Sequence, residues 1–370
     1  MFKNIESNGI IFYAPLNNDL KSFRNGGGEA GCLRTKIILE KLNYQIIIIR
    51  KPILKYDSIF AYFFILIDFI KSWTILFKQI VFNNIKCVHI VGFYKYHLIF
   101  EWIISRTAKL FKIKYIYEIR NGGMIFSYNK GNFIYKYLFK SIVFNSSNIL
   151  CQGEDYVEFL KEKFVISSIY YPNFIMNDKI QKNNLTRKDF KIINLIYFGR
   201  IVKEKNIDFI IDICETLKSL NIDFRLNLFG GYEFQYYQFL QRKITSKNLN
   251  NVIQFHGRKD FDDIILYLKS SHFFIFPSKE INEGHSNALT EAMAFGIAPI
   301  VSDVGFNKKV VNDDDLVIHN FDPLIYAKKI IDIWSDEKWS IKSSQVYNRI
   351  LENYTESKVT KSILELYHNL

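Results

Sequence analysis

Two carboxylates eight residues apart, Glu283 and Glu291, bracket the loop Gly284-His285-Ser286-Asn287-Ala288. The loop follows an apolar run ending in Phe276-Pro277-Ser278 and opens a predicted helix over 287–295. Ser286 or Asn287 is a competent N-cap, and the amides from Gly284 to Ala288 are the donors that a helix start leaves unpaired. Such an end carries about half a positive charge, which suits a phosphate or pyrophosphate. A carboxylate held beside an anion site is suited to polyols, because a charged acceptor binds hydroxyl hydrogens strongly. The plainer reading of the same segment is a solvated loop followed by a surface Glu.

A second segment, Phe198-Gly199-Arg200-Ile201-Val202-Lys203-Glu204-Lys205-Asn206, leaves another apolar run. Gly199 lets the backbone turn, and Arg200 and Lys205 bring two cations to the strand end. Arg grips phosphate oxygens in a bidentate way and Lys acts as a point charge. Near the amino end, Gly26-Gly27-Gly28-Glu29-Ala30-Gly31 lies between a strand at 9–14 and a helix over 29–42, where glycines allow a ligand close to the backbone. The run lacks the offset of a dinucleotide motif and is not followed by the Lys-Ser/Thr of a phosphate loop. Cys32, Cys87, Cys151 and Cys214 form no C-x-x-C pair, so they are read as reduced thiols. Asp313-Asp314-Asp315 is read as a solvated turn rather than a metal site.

These residues need strand ends to hold them. In the second half, apolar runs at 192–198, 224–229, 252–255, 273–276 and 298–301 alternate with amphipathic stretches at 206–219, 233–247, 261–270 and 287–295. The first half repeats the pattern with strands at 9–14, 45–50, 87–91, 114–119 and 148–151. Repeated βα units predict parallel sheets covered on both faces, hence an α/β class with two doubly wound domains facing a cleft. With 370 residues and roughly 100–200 per domain, two domains fit. They are expected at 1–178 and 190–350, joined through the polar stretch 174–191, with a helix at 351–370 packing back on the first. An apolar fraction of 49% excludes a disordered chain, and four Cys exclude a disulfide scaffold. The start, MFKNIESNGI, lacks a secretory apolar run. The greasiest stretch, 58–67, ends at Asp68, short of the about 20 residues that span a bilayer. A soluble or peripheral cytoplasmic protein is expected.

The pattern resembles the retaining glycosyltransferases of the GT-B fold, family four (glycosyl transferases group 1). Glu283 and Glu291 match the family's E-x7-E element, Gly199, Arg200 and Lys205 its G-R-x4-K element, and Gly26, Gly27 and Gly28 its amino-terminal glycine loop. The resemblance implies two Rossmann-like domains, an acceptor in the first half and a nucleotide-sugar donor in the second. Arg200 and Lys205 would hold the donor diphosphate, Glu291 the ribose hydroxyls and Glu283 the transferred sugar, with the amides around His285 and Ser286 on sugar or phosphate. No cofactor or metal is implied, since Arg, Lys and the helix end supply the positive field. The sequence departs from the family in three places: Phe306 and Lys309 after Asp303-Val304-Gly305, His285 where Phe is frequent, and Asn206 where Gly is usual. Where the family carries a His in its first domain, Tyr117-Glu118-Ile119-Arg120 offers Arg120, as a phosphate or acceptor contact or as half of a structural ion pair. His89 and His97 are read as core or surface histidines.

Charge is uneven. Residues 1–180 hold 24 Lys+Arg against 13 Asp+Glu, a net +11, and residues 181–370 hold 25 against 24, a net +1. A one-sided excess points to an anionic partner. Cations and aromatics interleave at 51–82, 93–117 and 133–144, and 133–140 is either an interfacial helix or a core helix with snorkelling Lys. Nucleic acid is set aside, because no RNP, KH or zinc signature is present. The expected partners are a nucleotide-diphosphate sugar, a lipid-linked or saccharide acceptor, and an anionic membrane surface. The expected activity is retaining sugar transfer in bacterial surface polysaccharide synthesis (lipopolysaccharide, capsule or exopolysaccharide). A nucleotide-sugar epimerase of the same fold, a phosphorylase, and a non-catalytic sugar or polyanion binder are the alternatives.

Overall fold

Short runs of β-branched and aromatic residues form the strands, and the burial of the central ones, such as Gly9–Ala14, Phe273–Phe276 and Ala298–Ser302, on both faces explains why they read as continuous apolar stretches. The computed structural model describes residues 9–16, 27–52, 59–93, 95–180 and 189–370. Gly26, Ser58 and the 181–188 part of the expected linker lie outside the described residues.

The chain divides into two units, Met1–Pro172 with Val359–Leu370, and Asn173–Lys358. In the first, β1 (Gly9–Ala14), β2 (Gln45–Arg50), β3 (Ile85–Gly92), β4 (Lys114–Ile119), β5 (Asn148–Cys151) and β6 (Ile169–Tyr170) form one parallel sheet in the order β2-β1-β3-β4-β5-β6. Phe12, Ala14 and Val91 pack with Leu16 and Cys32 in its core. In the second, β7 (Ile193–Phe198), β8 (Phe224–Phe229), β9 (Ile253–Gly257), β10 (Phe273–Phe276), β11 (Ala298–Ser302) and β12 (Val317–Ile318) run parallel in the order β12-β11-β10-β7-β8-β9. The chain winds outward from β7 in one direction and from β10 in the other. The β7/β10 boundary is therefore the topological switch point, where open α/β sheets leave a crevice at their carboxyl ends. Each unit is by itself an α/β domain built on one six-stranded parallel sheet.

Several expectations are corrected. The unit boundary falls at Pro172/Asn173, because Asn173 donates to the His285 carbonyl at 2.5 Å and the Ile175 amide to the Tyr354 carbonyl at 2.9 Å, both inside the second unit. The expected helix at 351–370 is the end of one helix, Asp336–Asn353, and a second, Glu356–His368. From Val359 the chain counts with the first unit, where Tyr367 bonds His89 Nδ1 at 2.6 Å. Gly27 and Gly28 form the first turn of a helix, Gly27–Lys41, rather than a loop. The apolar stretch before Asp68 belongs, from Ile59, to a 24-residue helix, Ile59–Phe82, that runs on past that residue. No described helix is long and apolar enough to cross a membrane.

Candidate functional site

At the end of β7 the backbone turns through Gly199, whose φ of +148° is open to glycine and strained for other residues. Tyr197 donates its hydroxyl to the Arg200 carbonyl at 2.8 Å, fixing the next residue in place. Burial, and then the Glu283 carboxylate, push the Tyr197 hydroxyl pKa well above its ordinary value, so it stays a neutral donor. Arg200 itself is exposed. The chain continues through a single tight turn, Lys203–Lys205, and Asn206 starts the helix Ile207–Ser219 in the left-handed region at φ +59°. Asn tolerates that conformation better than most residues, which explains how it stands in a position where the family has Gly.

The end of β10 supplies the opposite wall. Lys205 Nζ is ion-paired with Glu283 Oε2, both side chains being about one-tenth exposed. Ser278 donates its hydroxyl to the same carboxylate oxygen at 2.7 Å. Ser278 is fixed in turn, since Ser302 donates to its carbonyl at 2.7 Å. The Nζ of Lys205 also lies 5.6 Å from the centre of the Phe276 ring. Below Glu283 sits Gly305, with φ +59° and an ideal Cβ position only 2.1 Å from the Glu283 carbonyl oxygen. The Phe306 amide donates to that same carbonyl at 3.2 Å. Glu283 is thus held from its side chain and from its backbone.

Beyond it, Ser286 caps the helix Asn287–Met293 by accepting from the Leu289 amide, and Asn287 is its first residue. Glu291 is half-buried on this helix and Gly284 half-buried in the loop before it. His285 is buried: its Nε2 meets Thr290 Oγ1 at 2.8 Å and its ring packs edge-on against Tyr354 at 4.8 Å. Its side chain therefore braces the loop, whereas a Phe could make only the ring contact. The Asp313, Asp314 and Asp315 carboxylates are each taken up by lysines, Lys342 at 2.7 Å from Asp313 and 2.9 Å from Asp315, and Lys308 at 2.9 Å from Asp314.

The sequence profile of the family described as glycosyl transferases group 1 matches residues 176–352. The second unit belongs to that family. Among curated relatives, the capsular polysaccharide biosynthesis glycosyltransferase CapH of Staphylococcus aureus is 28% identical over 151 residues, 40% of this chain and 39% of CapH. Another relative is covered over 63% of its length, so the chain spans less than two thirds of both. The fold recurs in a glycosyltransferase from Rickettsia africae, with a TM-score of 0.75, 16% identity and 98% of each chain covered. It recurs also in Anabaena HepE in complex with UDP and glucose, with a TM-score of 0.70, 13% identity, and 98% of this chain and 100% of that one covered.

In this group 1 glycosyl transferase unit the structure brings Arg200, Lys205 and Glu283 to one switch point and adds Ser278, which the sequence reading passed over. A hydroxyl at a strand end five residues before Glu283 was the available signal. In the first unit Arg120 is only 3% exposed and ion-paired with Glu118, whose other oxygen lies 2.9 Å from His89 Nε2. Of the two readings of Arg120, the structure has the ion pair. Its guanidinium is committed to a carboxylate and packs 5.7 Å from the Tyr171 ring. A second buried group was not anticipated: Lys51 pairs with Glu101, which also accepts from the Tyr117 hydroxyl and the Phe93 amide, each at 2.7 Å. Gly28 lies beside it, with its ideal Cβ position 3.5 Å from the Phe93 ring.

Proposed function

We propose that the chain is a glycosyltransferase that binds a nucleotide-diphosphate sugar in its second unit. The observation that carries this reading is the Lys205–Glu283 pair at the β7/β10 switch point, with exposed Arg200 five positions before Lys205, just past the end of β7. An ammonium has three donors, and Glu283 takes one of them, so Lys205 keeps donors for a phosphate oxygen. Glu283 uses Oε2 for Lys205 and Ser278, while Oε1 makes no hydrogen bond among the described residues and is left to accept a sugar hydroxyl. Arg200 grips the diphosphate, the amides before Asn287 add their partial positive charge, and Glu291 takes the ribose hydroxyls.

In the reaction the bond from the anomeric carbon to the diphosphate oxygen breaks, and the electron pair leaves with the phosphate. Arg200 and Lys205 stabilise that charge, in place of a divalent metal. The acceptor hydroxyl oxygen bonds to the anomeric carbon on the same face, with retention, and its proton passes to the leaving phosphate. CapH, named for capsular polysaccharide biosynthesis, and HepE, solved with UDP and glucose, favour a sugar nucleotide donor and a growing saccharide or lipid-linked acceptor. An anionic surface at the cytoplasmic side of a membrane is the proposed place of work.

The test is release of free nucleotide from a panel of UDP- and GDP-sugars, with and without EDTA. Release that EDTA leaves unchanged and that Arg200→Ala abolishes supports the reading. No release from any donor, or wild-type rates in Arg200→Ala, contradicts it.

A further inference from the structure

The helix Ile59–Phe82 has one ridge too many. Ile65, Phe69, Leu76 and Ile80 are buried and anchor it to the first unit. A surface helix of this kind carries charged residues on its outer face. Here a second ridge, Leu66, Ile70, Trp73 and Phe77, follows the helical spacing and is exposed, each residue by more than a third. It joins the end of the neighbouring helix His97–Leu110: Trp73 donates to Thr107 Oγ1 at 2.9 Å, and the Phe77 and Phe111 rings meet edge to face at 5.4 Å. Leu110, 78% exposed, extends the patch.

The rim is cationic. Lys71 and Lys78 from the first helix and Lys109 and Lys112 from the second are all exposed. Against them the two helices set Asp68, 3.9 Å from Lys71, and Glu101, which is buried on Lys51.

We propose that this face is a docking surface for an anionic lipid bilayer, with the Leu66–Phe77 ridge lying in the plane of the interface and the four lysines on the headgroups. Apolar side chains enter the headgroup boundary, Trp73 sits at the level where indole rings are favoured, and lysines meet the negative surface potential. The charge decides against a second copy of the chain. A two-fold contact would set this patch against itself and oppose four lysines to four. The inference deepens the proposed membrane setting of the acceptor and rests on it, but its residues belong to the first unit alone.

The test is sedimentation of the full chain with vesicles of phosphatidylcholine, with and without phosphatidylglycerol, at low and high salt. The expected result is binding to the anionic vesicles only, weakened by salt. Lys109→Glu/Lys112→Glu and Ile70→Glu/Phe77→Glu should each lower the bound fraction at least roughly tenfold. Brominated lipid should quench fluorescence in the wild type and not in Trp73→Phe. Equal binding to neutral vesicles, no vesicle binding, or a dimer that Phe77→Glu dissociates would each overturn the proposal. UDP and GDP binding, measured without vesicles on the same variants, separates the two readings: intact nucleotide binding with no vesicle binding sinks only the membrane face.

Discussion

Lys205 and Glu283, 78 positions apart in sequence, share one ion pair, and Ser278 donates to the same carboxylate oxygen at 2.7 Å. The residue expected on the diphosphate and the residue expected on the sugar are therefore one unit. Moving either moves the other.

That coupling is measurable as stability. Lys205→Met leaves a buried carboxylate uncompensated and should cost about 3–5 kcal/mol, whereas Lys205→Met/Glu283→Gln removes both charges. The double variant should be more stable than the sum of the single losses predicts, by about 1–3 kcal/mol, in urea unfolding followed by circular dichroism. Strict additivity would mean the pair contributes nothing.

Gly305→Ala tests the backbone support. The left-handed φ alone costs about 1–2 kcal/mol for a non-glycine residue, and the new methyl would meet the Glu283 carbonyl oxygen. The thermal midpoint should fall, and the affinity for nucleotide should fall with it, since Glu283 must shift. A variant with wild-type midpoint and affinity would show that Gly305 does not set Glu283.

The Glu118 cluster predicts acid sensitivity. Burial raises the Glu118 pKa, but Arg120 and then His89 outweigh it, so the folded value lies below the ordinary one. A carboxylate depressed in this way contributes stability above its unfolded pKa, about 4.3, and loses it as pH falls through the folded value. The unfolding free energy of the wild type should drop below about pH 4.3, and Glu118→Gln should flatten that limb while lowering stability at neutral pH. An unchanged acid limb in Glu118→Gln would contradict the assignment.

The strands were legible because buried parallel strands concentrate Ile, Phe and Tyr in short runs, as in Ile193–Phe198 and Phe273–Phe276. Ile169–Tyr170 and Val317–Ile318 are only two residues long and carry no pattern. The helix Ile59–Phe82 escaped because residues that are apolar on almost every side erase the 3.6-residue period. The types of the site residues could be read, but not the Lys205–Glu283 pairing, which depends on β7 and β10 lying side by side at the switch point. The Lys51–Glu101–Tyr117 group was invisible for the same reason: strand order brings together residues that sequence keeps apart. Glu118 and Arg120 are two apart at a strand end, the spacing that puts side chains on one face, and there the ion pair could be foreseen.

The central claim is that Arg200, with the Lys205–Glu283 pair, receives a nucleoside diphosphate. Titration calorimetry with UDP and GDP on the wild type and on Arg200→Ala tests it most directly. At least one nucleotide should bind the wild type, and Arg200→Ala should weaken it by roughly tenfold or more, the loss of one charge-assisted phosphate contact. Failure of both nucleotides to bind at millimolar levels, or equal affinity in the two proteins, would contradict the account.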